Sequence, residues 1–191
     1  MKYFLLFSVF HSAIAWAAPT VSIDNGKSSV EFLAIGRPSA LKIRGTKAKP
    51  EGKVTFKEKG MEGAILLNLE NFETGMSLRD RHMKEKYLET GKEDFKNAQL
   101  TLSKVELPKD YWKNPTQFKT SFVGKLLLHG IEKEISGEME IGSASKESIQ
   151  GQAKFSIVLT DFGIAIPSFA GITVAEKVDV EVNYFGKIES L

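Results

Sequence analysis

The feature that most constrains this chain is an alternation of apolar and polar residues, recurring from about Ser29 to Tyr184. In Phe118–Leu128 one face carries Phe118, Phe122, Leu126 and Leu128, and the other carries Lys119, Ser121 and Lys125. Glu134–Ile141 sets Ile135, Met139 and Ile141 against Glu134, Ser136, Glu138 and Glu140. Gln152–Leu159 sets Ala153, Phe155, Ile157 and Leu159 against Gln152, Lys154 and Ser156, and Val178–Tyr184 alternates almost without a break. Successive side chains of a strand point to opposite faces, so each run reads as a strand with one greasy face. Ser29–Ile35, Leu41–Ile43, Lys53–Lys57, Ala64–Phe72 and Leu100–Leu107 read the same way. Short joints such as His129-Gly130 and Gly142-Ser143 suit antiparallel neighbours, because parallel strands need long crossovers.

An apolar sheet face must be buried, and about nine strands can do so as a barrel or as a sandwich. A long meander favours the barrel, since closure removes exposed edges. The expectation is an all-β fold: a single antiparallel β-barrel of about eight strands, just wide enough to be filled by side chains or to hold one small ligand.

One helix is expected, at about residues 78–90. Ser77–Leu88 lacks proline and internal glycine, Leu78, Met83, Tyr87 and Leu88 can share a stripe, and Gly91 is placed to stop it. Met83 and Tyr87 could cap one mouth of the barrel or simply dock the helix on it. Arg79, Asp80 and His82 read as structural residues near the helix start, with a polar rim for a lipid head group as the alternative. Asp161–Gly171 is unusually apolar for a loop and is expected to fold over something apolar, which brings Phe162 and Phe169 into consideration.

Composition removes several chemistries. The absence of cysteine excludes disulfides, thiolate metal sites and cysteine nucleophiles, and three histidines make a histidine-rich metal centre unlikely to form. A formal charge of +2 gives no reason to expect nucleic acid. Ser77, Asp80 and His82 have the residue types of a nucleophilic triad, but they crowd one short segment and no G-x-S-x-G turn presents a nucleophile. No catalytic residue, no metal and no cofactor is expected; the chain does not read as an enzyme.

The first residues read as a secretory leader. Lys2 supplies a positive start, Tyr3–Phe10 an apolar run, and Ala15-Trp16-Ala17 small residues at the cleavage positions. The expected division is a signal peptide at 1–17 and one domain at 18–191. That implies a secreted protein.

Three motifs then carry a resemblance. Phe72-Glu73-Thr74-Gly75 followed by Leu78-Arg79-Asp80-Arg81-His82-Met83 is the first, Leu126-Leu127-Leu128-His129-Gly130-Ile131 the second, and Asp161-Phe162-Gly163-Ile164 the third. In this order and spacing the chain resembles the YceI-like family, from about Ser29 to Gly186. The resemblance implies a lipocalin-like barrel in the bacterial periplasm, holding a long isoprenoid chain or similar amphiphile as a carrier or store, with a link to stress. The bound molecule it implies is a polyisoprenoid or an isoprenoid quinone, not a cofactor. The partners expected are a long-chain lipid and no nucleic acid, with room for transient membrane contact and for a homodimer.

The alternating apolar residues are the first candidates for contact with that lipid: Phe32, Leu67, Leu69, Leu102, Phe122, Leu126, Phe155, Ile157 and Val180. Met83 and Tyr87 at the mouth, and Phe162 and Phe169 in the apolar loop, complete the ligand-binding set. Alternation alone leaves two readings of the inward residues: they line a tunnel, or they fill a solid core. The second would make the protein a filled barrel acting as a non-catalytic interaction protein of the envelope.

Overall fold

The computed structural model describes residues 19–190, apart from 38–40, 58–59, 110, 143 and 170. The leader expected at 1–17 lies outside the described residues.

Eleven strands form one antiparallel system. They are β1 (Thr20–Ile23), β2 (Ser29–Arg37), β3 (Lys42–Ala48), β4 (Pro50–Lys57), β5 (Gly60–Asn68) and β6 (Asn97–Val105). The rest are β7 (Phe118–Leu128), β8 (Ile131–Ile141), β9 (Ser148–Val158), β10 (Ser168–Phe169) and β11 (Ile172–Ser190). Strands β4 to β9 follow one another as a meander, and β9 pairs with β11. β11 then closes the ring along two stretches of its length: Thr173–Asn183 pairs with β2, and Gly186–Ser190 with β1. β1 pairs with β4, and β2 with β3. Thus β1 and β2 share one stave of the wall, β3 and β4 share the next, and the result is a closed eight-stranded barrel with a short helical segment, as expected. The two-residue strand β10 only pairs with β11.

The wall bends where β3 meets β4. Between Val30↔Ala48 and Phe32↔Gly45, β3 spends one residue more than β2, and Lys47 takes φ 74°. An extra residue on one side of an antiparallel pair bends that strand and increases its twist. The β7–β8 hairpin is tighter. His129 (φ 51°) and Gly130 (φ 74°) form a two-residue loop with both residues left-handed, which matches the twist of the flanking strands.

Between β5 and β6 the chain leaves the wall. The strand expected to reach Phe72 stops at Asn68, whose side chain accepts the Glu70 N–H (2.9 Å) and caps a 3-10 turn at Leu69–Asn71. The helix α1 (Ser77–His82) follows and widens into a π turn at Met83–Tyr87. It ends before the expected residue 90, and not at Gly91: Glu89 takes φ 49°, and the Thr90 N–H turns back to the Lys84 carbonyl (2.9 Å).

The two barrel ends differ. At one, the β6–β7 loop folds under the barrel and brings Tyr111 and Trp112 against Phe56 and Phe118, edge to face at 4.8–5.3 Å between ring centroids. The Tyr111 hydroxyl donates to the Gly142 carbonyl (2.6 Å), and the buried Trp112 indole N–H makes no hydrogen bond. At the other end sit α1, its π turn, Leu41 just before β3, and the loop before β11.

A hollow apolar barrel as the candidate binding site

The inward face of the wall does not meet at the axis. It encloses a cavity of about 530 Å³ that follows the barrel from Phe56, Val21 and Tyr184 near the aromatic cap to Leu41, Met76 and Ile172 at the other end. The volume lies within the roughly 300–1,000 Å³ of small-molecule sites. The reading of a solid core is therefore overturned: the alternating residues surround a space.

Register explains why. Phe32 lies directly across from Gly45 on the neighbouring strand, and a side chain on Gly45 would collide with the Phe32 ring, 1.9 Å from its Cε1. Phe122 stands in the same relation to Gly137, and Tyr184 to Gly151. Each ring lies along the wall over a glycine and leaves the axis clear. Phe122 and Phe155 meet edge to face at 6.0 Å, and Phe32 meets Phe72 the same way at 5.1 Å.

Of the side chains proposed from alternation, Phe32, Leu67, Leu102, Phe122, Leu126, Phe155, Ile157 and Val180 all line the cavity from the strands. Leu69 lines it too, from the 3-10 turn that replaces the expected end of β5. Met83 and Tyr87 face it from the π turn. Phe162 is a correction. It is buried but does not line the cavity, because β9 ends at Val158 and the chain passes into a 3-10 turn (Leu159–Phe162) closed by a left-handed Gly163. Phe169 pairs with Ile172 through its backbone, and its side chain lies outside what is described. Met139, Ile149 and Tyr184 also line the cavity and were not proposed. Met139 already stood on the apolar face of its strand; nothing local marked it as closer to a ligand than Ile135.

Few polar groups face the hollow. Tyr184 is one, and its hydroxyl donates to the Glu140 carbonyl (3.2 Å). Burial pushes its phenol far up, with Tyr111 and Glu140 adding to the effect. The others gather at the helical end: Thr74, Arg79, His82, Tyr87 and Ser168. There Asp80 Oδ1 accepts both the backbone N–H (2.7 Å) and the hydroxyl of Thr74, while Arg79 Nε donates to Thr74 Oγ1 (2.7 Å) and Nη2 to the Thr74 carbonyl. The threonine-glycine and arginine-aspartate pairs of the first motif are thus one clasp, which turns the chain at Gly75 (φ 84°) and sets α1 over the mouth. Asp80 is engaged there through Oδ1. The Tyr87 hydroxyl meets the Ser168 backbone (carbonyl 3.3 Å, N–H 3.2 Å) and ties the π turn to the loop before β11.

The second and third motifs meet as well. His129 sets one ring nitrogen on the Phe162 carbonyl and the other on Glu89 (3.1 Å each), with Phe95 against its ring. This joins the β7–β8 hairpin, the 3-10 turn after β9 and the end of the helical segment. Lys92 first, and His129 after it, hold the Glu89 carboxyl below the ordinary range. Among the described residues, no group of three or more His, Asp or Glu side chains is gathered to hold a metal ion.

A closed antiparallel barrel with an apolar hollow and a helical segment across one mouth defines a class: small β-barrels built to take up a hydrophobic molecule. The YceI-like domain model matches residues 22–184, and the chain belongs to that family. Among solved structures it is similar to a polyisoprenoid-binding domain from Saccharophagus degradans implicated in plant cell wall breakdown (16% identity, 88% of this chain and 98% of that one, TM-score 0.67). It is similar also to Burkholderia cenocepacia BcnA (12%, 85% and 98%, TM-score 0.67) and to a Campylobacter jejuni YceI protein (17%, 96% and 98%, TM-score 0.52). At these identities the likeness is one of fold. No curated protein matches the sequence.

Proposed function

We propose that this protein is a periplasmic, non-catalytic lipid-binding protein that holds a long isoprenoid or similar amphiphile in its barrel, as a carrier or store. The observation that carries the reading is the hollow itself: an apolar space of about 530 Å³ running along a closed barrel, with its polar groups, Tyr184 apart, gathered at one end. The polyisoprenoid-binding domain of S. degradans, which shares the fold, supports an isoprenoid as the class of ligand. The leader-like residues 1–17 support secretion.

The energetics suit such a ligand. Burying a CH₂ group gives about 0.8 kcal/mol, so one five-carbon isoprene unit contributes roughly 4 kcal/mol. Association removes on the order of several kcal/mol, so two or more buried units already give useful affinity. As a carrier, the protein would load and deliver at a membrane.

Organic extraction of the protein from its native host, followed by mass spectrometry, tests the reading. A co-purifying polyprenyl lipid or isoprenoid quinone is expected. A folded protein that yields no lipid and takes up no added isoprenoid overturns it. Osmotic-shock fractionation of the host tests the compartment.

A further inference from the structure

The mouth of the cavity has an exposed apolar rim, and we infer that this rim is a docking face for an anionic lipid bilayer. The inference deepens the lipid-binding proposal, on which it rests, by naming the surface through which cargo would pass.

Four side chains line the cavity and yet stand well open to solvent: Leu41 (40%), Met76 (57%), Leu78 (44%) and Ile172 (37%). Ile166 (37%), on the loop before β11, is exposed as well. They come from three separate segments, and Leu41 and Ile172 converge over Gly36, each about 3 Å from where its Cβ would be. Large apolar side chains exposed together mark an interaction surface, and single ones do not. Here the exposed patch is continuous with the apolar wall inside. A lipid tail leaving a bilayer at this rim would pass from one apolar medium to another without crossing water.

Charge selects the partner. The helical segment Ser77–Tyr87 carries Arg79, Arg81, Lys84 and Lys86 against Asp80 and Glu85, a net of +2. Arg37 and Lys42 flank the β2–β3 connection at the same end, while Glu73 opposes them. The loop Gly163–Ile172 has no charged residue at all. On these segments the basic residues outnumber the acidic ones six to three. Among the described residues Arg37, Lys42, Arg81 and Lys84 make no ion pair. Basic residues around a shallow apolar face are what an anionic membrane surface attracts. A protein partner of neutral or basic surface would gain nothing from them.

Flotation with large unilamellar vesicles tests the inference. The full mature chain is mixed with vesicles of phosphatidylcholine alone, and with vesicles that include phosphatidylglycerol. Binding to the second, weakened by 0.5 M salt, is expected. Arg81→Gln with Lys84→Gln should weaken it about twenty-five-fold, since each basic residue near such a surface contributes roughly a five-fold factor. Met76→Ser with Leu78→Ser should weaken it at least ten-fold, while the melting temperature stays unchanged. The four positions are exposed or half-buried, so these variants fold.

Failure of the wild type to float with anionic vesicles overturns the inference even if lipid is found inside. So does undiminished binding by both double variants. Sedimentation as a dimer that both double variants abolish, without vesicle binding, also overturns it and assigns the rim to a second copy of this chain. Vesicle binding by a barrel that contains no lipid and takes up none upholds the docking face and overturns the cargo proposal.

Discussion

The ring of Phe32 occupies the space in which Gly45 has no side chain. The three heavy atoms nearest to a Cβ built at Gly45, at 1.9–2.5 Å, all belong to that ring, so a methyl group there must push Phe32 off the wall. Gly45→Ala is expected to cost about 1–3 kcal/mol, as overpacking does. It should also narrow the hollow near its mouth. Denaturant unfolding measures the first effect, and titration with an apolar fluorescent probe the second. Unchanged probe capacity would mean that the ring is not what the glycine accommodates.

Val180 lines the cavity from β11 and is half-buried, with space ahead of it. Val180→Trp should fill that space with little loss of stability and reduce lipid retention at least ten-fold. Mass spectrometry of the purified variant reads the outcome. Leu126→Arg makes the complementary test, since a charge placed on the wall should abolish retention outright. A folded Leu126→Arg protein that keeps its lipid would show that the ligand lies elsewhere.

The Thr74–Arg79–Asp80 clasp predicts a purely structural phenotype. Asp80→Ala removes the acceptor of two hydrogen bonds in a half-buried site and should cost about 1–3 kcal/mol. Asp80→Asn keeps one acceptor oxygen and should recover part of that loss. Thermal unfolding of the two variants side by side provides the check.

Alkaline pH should weaken the protein through Tyr111 and Tyr184, whose phenols are raised by burial. Burial raises the Tyr111 phenol to about 12 and the Tyr184 phenol further. The unfolded chain releases these protons near pH 10 while the folded one keeps them. The folded state then binds more protons, and stability falls as pH rises above 10, by up to about 1.4 kcal/mol per pH unit for each phenol. Below pH 10 neither contributes a slope. Tyr184→Phe should flatten the loss, as measured by urea midpoints between pH 9 and 12.

Alternation located the strands well where one face meets the hollow and the other meets water, as in Phe118–Leu128. It failed where the pattern and the backbone part company. β11 runs from Ile172, but a register shift between Val174 and Val178 breaks the period, so only Val178–Tyr184 was legible. β1 is four residues long, too short to announce a period. Leu69 and Phe72 continue the apolar beat of β5, yet Asn68 caps a turn and ends the strand. The same limit governs the site. Which side chains face inward is local information. Whether they leave a hollow depends on what each ring finds across the strand boundary, and the meeting of Phe32 with Gly45 or of Phe122 with Gly137 is set by register between segments distant in sequence. Tyr111 and Trp112 sit in a loop without periodicity, so nothing foretold that they would close one end.

Apart from Tyr184, whose hydroxyl is engaged with the Glu140 carbonyl, the polar side chains that line the cavity lie at one end, and this leaves the inner wall without landmarks along most of its length. Between the two ends a hydrocarbon meets apolar side chains, so along that stretch it would be held as a rod is held in a sleeve, able to slide and to be swapped for another of like calibre. On such a wall, occupancy follows thickness and supply, and the cell's stock of chains, more than any single residue, would decide which one is carried.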